Sequence, residues 1–276
     1  MPRPARIAEL LEAYDGFLLD AYGVLKDASG ALPGACELVA RLDDLGKPYV
    51  VVTNDASRLP ATIARSFAGL GMAIPAERIV TSGSLLAPHF AAAGLVGARC
   101  MVVGTADSHR YVADAGGVIA PLAGTADIDA LIVCDDAGFD FLPGIEAALS
   151  AAVRALDAGR PLALVLPNPD LVYPKGSGQY GFTSGAIALL IETALRRRHP
   201  GRDVAFTQLG KPRPPMFAEA RRRLGGDRLL MVGDQLETDV AGALAAGIDA
   251  ALVTGVSRWT PDAAIEPTWI VEGLAS

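Results

Sequence analysis

Three carboxylates and one lysine stand where apolar runs stop. Asp20 ends the apolar part of FLLDAYGVL (residues 17–25), Asp234 and Asp239 lie in LLMVGDQLETDV (229–240), and Lys211 sits in the turn Leu209-Gly210-Lys211-Pro212. An unbroken apolar run reads as a buried parallel strand, and its last residue emerges at the carboxyl edge, where open α/β sheets bind ligands. Asp20, Asp234 and Asp239 gathered at that edge would offer oxygen ligands to a hard cation such as Mg2+. A lysine in a glycine–proline turn there could reach a phosphoryl oxygen as a compact point charge.

The elements that must position these groups alternate. A short amphipathic helix is expected over 7–14, and a second helix follows the first strand, opening at Pro33-Gly34 and closing at Gly46. The next strand, Tyr49 to Val52, again ends in polar residues, Thr53, Asn54 and Asp55. Strand, helix, strand in this order implies parallel neighbours joined by a right-handed crossover, which puts Asp20 and Thr53-Asn54 on one edge. Further strands are expected at 78–80, 100–103, 131–133, 162–166, 205–207, 229–232 and 251–253, with helices at about 59–70 and 84–93, and one starting near Asp239. The fold class is therefore α/β, a doubly wound parallel sheet of Rossmann-like form.

Composition limits the function classes. With 276 residues and 51% apolar residues, the chain can build a sizeable core without staples. Cys36, Cys100 and Cys134 are too dispersed for a disulfide framework or a zinc knuckle, which points to a reducing, cytoplasmic setting. A formal charge of −7 without a long basic cluster argues against nucleic acid as a partner. Arg196, Arg197 and Arg198 end a helical segment and read as partners of its dipole. The opening residues lack the apolar core of a signal peptide, and no stretch is long and apolar enough to span a membrane.

The set DAYGVL, VVTNDAS, GKP and GDQLETD, in this order, resembles the four motifs of the haloacid dehalogenase-like phosphohydrolases. The long stretch between the second and third resembles the α/β cap of class IIA, the NagD-like branch acting on nucleotide, sugar and pyridoxal phosphates. Asn168-Pro169-Asp170 and Gly255-Val256-Ser257 add to the similarity. The resemblance implies a core of residues 1–82 and 206–276 with a cap inserted at 83–205. It implies that Asp20 is the nucleophile that becomes an aspartyl phosphate, that Thr53 and the amide of Asn54 hold phosphoryl oxygens, and that Lys211 neutralises the charge shared by phosphate and Asp20. Magnesium would be held by Asp20, the carbonyl of Tyr22 and Asp234, with Asp239 orienting Lys211 or a metal-bound water. Phosphoryl transfer needs an in-line nucleophile and charge neutralisation, and these groups supply both. The expected activity is hydrolysis of a small phosphorylated metabolite, with the cap closing over it and Asn168 and Asp170 facing it. An apolar cap face is where a homodimer would form.

One position departs from the pattern. The family's phosphatases carry a second aspartate two residues after the nucleophile, which protonates the leaving group and activates water; here the residue is Tyr22. A phenol of pKa about 10 is a poor base at neutral pH, and loss of a general acid–base typically lowers rate about 100- to 10,000-fold. Backbone coordination by Tyr22 survives the change, and the nearby Asp27 is a candidate substitute. A second reading follows, a phosphometabolite-binding or regulatory protein with weak turnover. Haloacid dehalogenation fits less well, because that chemistry uses no metal and Asp234 with Asp239 resemble a metal arrangement.

Each residue also has a plainer use. Thr53-Asn54 could cap the next helix, Asp239 could complement a helix dipole, and Tyr22 could pack as a lid over the strand edge. Asp135-Asp136 read as loop residues, and His89, His109 and His199 show no ligand spacing. Gly176, Gly178 and Gly181 formally match a dinucleotide fingerprint, but no strand leads directly into them, which argues against a nicotinamide enzyme.

Overall fold

The computed structural model describes residues 1–176, 179–254 and 258–275. Its first elements are β1 (Arg3–Pro4), α1 (Ile7–Ala13), β2 (Gly16–Asp20), α2 (Ala35–Asp44), β3 (Tyr49–Thr53), α3 (Pro60–Gly69) and β4 (Ile79–Thr81). Then come α4 (Leu86–Ala93), β5 (Arg99–Val103), α5 (Ala106–Asp114), β6 (Val118–Ala120), β7 (Ala130–Val133), α6 (Phe141–Asp157), β8 (Ala163–Leu166), β9 (Val172–Gly176), β10 (Gln179–Phe182), α7 (Ser184–Arg198) and β11 (Thr207–Gln208). The chain continues through α8 (Pro214–Leu224), β12 (Leu229–Gly233), α9 (Ala241–Ala245), β13 (Asp249–Val253) and β14 (Trp269–Val271). They form two compact units: Met1–Thr53, Pro60–Val80 and Lys211–Ser276 make the first, Asn54–Leu59 and Thr81–Gly210 the second.

The first unit carries a seven-stranded sheet in the order β1-β14-β13-β12-β2-β3-β4. Its central strands β2, β3 and β12 are buried along their whole length, as their apolar residues on both faces require of strands covered by helices on each side. The pairs β12–β2 and β2–β3 are parallel, with Leu19 opposite Val232 and Asp20 opposite Val52. Three chain segments therefore end side by side at the carboxyl edge. Phe17, Leu19, Tyr49, Val51, Leu230, Val232, Leu42 and Phe67 belong to the core of this unit.

The second unit is built on five parallel strands in the order β11-β8-β7-β5-β6, with an antiparallel ribbon of β9 and β10. Ala148, Ala151, Ala152 and Ala155 are buried along α6, and Ile187, Ile191 and Leu195 along α7, completing its core. Two of the arginines at the end of α7 have specific partners beyond the dipole. Arg198 pairs with Asp157 at 2.8 Å, and Arg196 donates to the Val204 carbonyl at 2.8 Å.

Four expectations shift. The ribbon β9–β10 was not expected, because Pro174 and Gly181 are poor strand residues; a two-stranded ribbon is all edge and tolerates them. The short strands β1, β6 and β14 are too brief for periodicity to register. The strand expected at 205–207 lies at Thr207–Gln208. The helix expected near Asp239 opens as a wide π-helical turn, Leu236–Val240, and becomes α-helical only from Ala241, where α9 begins. That turn lets the Asp239 side chain bond backward to the backbone it follows, a competition that disfavours a regular first helical turn.

Candidate active site

In the first unit Lys211 is almost completely buried, and its ammonium is held from three sides. It donates to Asp20 Oδ1 at 2.6 Å, to Asp239 Oδ1 at 2.6 Å and to the Val52 carbonyl at 3.3 Å. Burial alone would lower the Lys211 pKa, but the charges of Asp20 and Asp239 outweigh it, and the net shift is upward, so the charged form is favoured. Asp239 spends its second oxygen on the backbone amides of Asp234 and Gln235, both at 3.2 Å. Asp239 thus fixes Lys211, and Lys211 faces Asp20.

Asp234 is the outlier. It is fully buried, yet neither carboxylate oxygen has a hydrogen-bond partner among the described residues. Burial first, then the charge of Asp239, push its pKa up to about 7, with Lys211 opposing. Burial and the Asp239 charge also raise that of Asp20 against the pull of Lys211. Oxygens of Asp20, Asp234 and Asp239 lie within 4.8 Å of one another. Three carboxylates facing one ammonium leave uncompensated negative charge, and an unpartnered buried carboxylate is a group missing its counterion. The donor set is all oxygen and fits a hard divalent cation, with Asp20 and Asp234 as the carboxylates able to hold it.

Glycines make room for this arrangement, which sequence reading did not anticipate. A Cβ at Gly23, where φ is +95°, would stand 2.1 Å from Asp234 Oδ2, and one at Gly233 would stand 2.3 Å from the Asp239 Cβ. The signal was a glycine three residues after one acid and another immediately before the next; its meaning needs the fold.

The other candidates fall as follows. Thr53 ends β3 one residue past Val52, the register partner of Asp20. Tyr22 is half-buried in the turn after β2, with the Lys26 ammonium 5.5 Å from its ring centroid. Asp27 is not a poised acid: Oδ1 accepts from Ser29 N, Ser29 Oγ and Gly30 N at 2.7, 2.6 and 3.2 Å. The Ser29 bonds hold its carboxyl below the usual range.

In the second unit Asn54 donates from Nδ2 to Asp170 Oδ1 at 3.0 Å, and its carbonyl accepts from Ser82 Oγ at 2.7 Å. A Cβ on Gly210 would be 2.5 Å from Asn54 Oδ1, so the backbone there approaches Asn54 closely. Asn168 Oδ1 accepts from the Asp170 amide at 3.0 Å, and Asp170 is tied further to the start of α7 through Thr183 and Gly185. Asn54, Asn168 and Asp170 are thus brought together as one hydrogen-bonded group. Asp135, after β7, turns its Oδ1 back to the Ala137 amide at 2.9 Å, in keeping with a loop role. Ser177, Gly178 and Gly255-Val256-Ser257 lie outside the described residues, which leaves the dinucleotide-like run and the last similar segment aside.

Residues 17–117 match the family model of haloacid dehalogenase-like hydrolases, and residues 208–276 a HAD-hydrolase-like model. The chain is 33% identical to chronophin of Homo sapiens over 270 residues, covering 92% of this chain and 86% of that protein. It belongs to the haloacid dehalogenase-like hydrolases. Within that superfamily its relatives are NagD-like, class IIA phosphatases. The 5'-nucleotidase YutF of Bacillus subtilis is 27% identical over 270 residues, covering 96% of this chain and 97% of its own. A solved possible sugar phosphatase from Cytophaga hutchinsonii superposes with a TM-score of 0.84 at 30% identity, covering 100% of this chain and 99% of the other. The hydrolase family and its α/β fold agree with the expectation drawn from the four motifs.

Proposed function

We propose that this hydrolase is a magnesium-dependent phosphomonoesterase that acts on a small phosphorylated metabolite through an aspartyl phosphate on Asp20. The observation that carries this is the buried Lys211 clamped between Asp20 and Asp239, with Asp234 unpartnered beside them. Asp20 attacks phosphorus in line, its oxygen bonding to phosphorus as the ester P–O bond breaks. Lys211 keeps its charge through the step and offsets the negative charge that gathers on Asp20 and the transferring group. Asp239 keeps Lys211 aimed, and Thr53 with the Asn54 amide hold the phosphoryl oxygens. Asp20, the Tyr22 carbonyl and Asp234 would hold the magnesium, which when bound would supply charge neutralisation for nucleophile and phosphate together. The second unit is the cap of class IIA enzymes, and its Asn168–Asp170 segment is the part we assign to substrate contact.

Among the described residues no helix is long and apolar enough to cross a membrane, and the three cysteines are free thiols. A cytoplasmic setting is the reading these observations support. Hydrolysis of p-nitrophenyl phosphate with and without magnesium tests the proposal; metal-dependent turnover abolished by Asp20→Asn is expected, and turnover unaffected by that change refutes it. Tyr22 favours one second reading, a phosphometabolite-binding protein with weak turnover. Calorimetry would then register metal-dependent binding of a phosphorylated ligand without product, and absence of binding would end that reading.

A further inference from the structure

The turn that follows Asp20 is closed on itself. The Ala21 carbonyl accepts from the amides of Leu25 and Lys26 at 3.1 and 3.0 Å, and the Gly23 amide donates to the Lys26 carbonyl at 2.8 Å. This closure sets the Lys26 ammonium against the Tyr22 ring, a cation–π arrangement. The next carboxylate along the chain, Asp27, has its Oδ1 turned back to Ser29 and Gly30, which hold the carboxyl ionised below the usual range. Of the two remaining acids near Asp20, Asp239 is fully engaged by Lys211 and two amides, and Asp234 is the carboxylate left for the cation. None of these three acids is thus placed to hand a proton to an oxygen departing from phosphorus at Asp20.

Breaking an ester P–O bond sends the electron pair to the leaving oxygen. A simple alkoxide is a strong base and leaves readily only if it is protonated as the bond breaks, whereas an aryl, enol or acyl oxyanion is stable without a proton. We propose that this enzyme selects its substrate by leaving group, cleaving aryl, enol and acyl phosphates and leaving simple alkyl phosphates nearly untouched. The proposal rests on Asp20 being the nucleophile. In the first step an Asp20 oxygen bonds to phosphorus, the P–O bond to the substrate breaks, and the leaving oxygen departs as an anion. In the second, water bonds to phosphorus, the P–O electron pair returns to the Asp20 carboxylate, itself a stable anion, and the water proton passes to solvent.

The test is a series of aryl phosphates of graded leaving-group acidity, with glycerol phosphate as the alkyl member, at saturating magnesium. Wild type is expected to lose kcat/KM steeply as the leaving oxygen becomes more basic. Tyr22→Asp, which restores an acid, should flatten that dependence and lower the aryl-over-alkyl ratio by about 100- to 10,000-fold, the usual range for a general acid. Tyr22→Phe should keep the steep dependence, and this arm stands even if Tyr22→Asp fails to fold. A wild type that turns over the series with little sensitivity to leaving group overturns the proposal while leaving Asp20 as nucleophile intact. Alkyl activity lost specifically in Tyr22→Phe also overturns it, since the phenol would then be the acid. A wild type inert toward even the most reactive aryl phosphate overturns both this proposal and the phosphomonoesterase reading.

Discussion

Asp234→Asn is expected to stabilise the metal-free protein at neutral pH while abolishing its response to magnesium. Asp234 is fully buried, its oxygens lack hydrogen-bond partners, and burial with the Asp239 charge pushes its pKa from the ordinary 3.8 to about 7. The folded state therefore holds this proton more tightly than the unfolded chain. Stability contributed by the protonated carboxyl is present below about pH 4, falls as pH rises toward 7, and is level above that. At about 1.4 kcal/mol per pKa unit, the three-unit gap sets an upper bound of about 4 kcal/mol on the penalty at neutral pH. Asparagine does not titrate, but its buried amide still lacks partners, which costs about 1–3 kcal/mol and leaves a net gain of at most about 1–3 kcal/mol.

The assay is urea denaturation followed by tryptophan fluorescence from about pH 4 to 8. Both tryptophans, Trp259 and Trp269, belong to the first unit, so the signal reports the unit that holds Asp234. The variant should be less stable than wild type by about 1–3 kcal/mol at the acid end, and the balance should reverse as pH rises toward 7. Magnesium at 100 times its dissociation constant should raise the stability of wild type by about 2.7 kcal/mol and that of the variant by far less. A variant less stable than wild type at neutral pH, or a difference independent of pH, would refute the view of Asp234 as an uncompensated carboxylate.

Three further outcomes follow from the same geometry. Gly23→Ala places a methyl group in the space of the Asp234 carboxylate at a positive φ. It should destabilise the fold by about 1–3 kcal/mol and weaken magnesium binding about 10- to 100-fold, measured by calorimetry. Lys211→Met leaves Asp20 and Asp239 buried without their cation and should destabilise the first unit by about 3–5 kcal/mol at neutral pH, measured by urea denaturation. Asn54→Ala removes the donor to Asp170 and should destabilise by about 1–3 kcal/mol, read as a lower thermal midpoint.

The buried strands and the acids at their tips were legible because a parallel strand covered on both faces must be apolar throughout, so a lone terminal carboxylate stands out. Phe17-Leu18-Leu19-Asp20 and the run into Gly233-Asp234 both carried that signal. The division of labour among the acids was legible only through the family resemblance, which set Asp234 toward the cation and Asp239 toward Lys211 or a metal-bound water; no local pattern separates the two. Asp239 reaches Lys211 from a π-helical turn, a local feature with no periodicity that a sequence pattern could register. The Asx-type turn that Asp27 makes with Ser29 and Gly30, which sets it aside as a substitute acid, has no signature beyond its short polar run. Asn54 was read for its backbone amide, whereas its side chain also ties to Asp170, 116 positions along the chain, a pairing no local pattern encodes.

The role of Asp20 is tested most directly by rapid acid quenching of the enzyme during turnover of p-nitrophenyl phosphate with magnesium, followed by peptide mass mapping. The peptide that contains Asp20 should carry one added phosphoryl group, absent in Asp20→Asn and absent without substrate. Sustained turnover with no phosphoryl group on that peptide, or with the group on another residue, would contradict nucleophilic catalysis by Asp20.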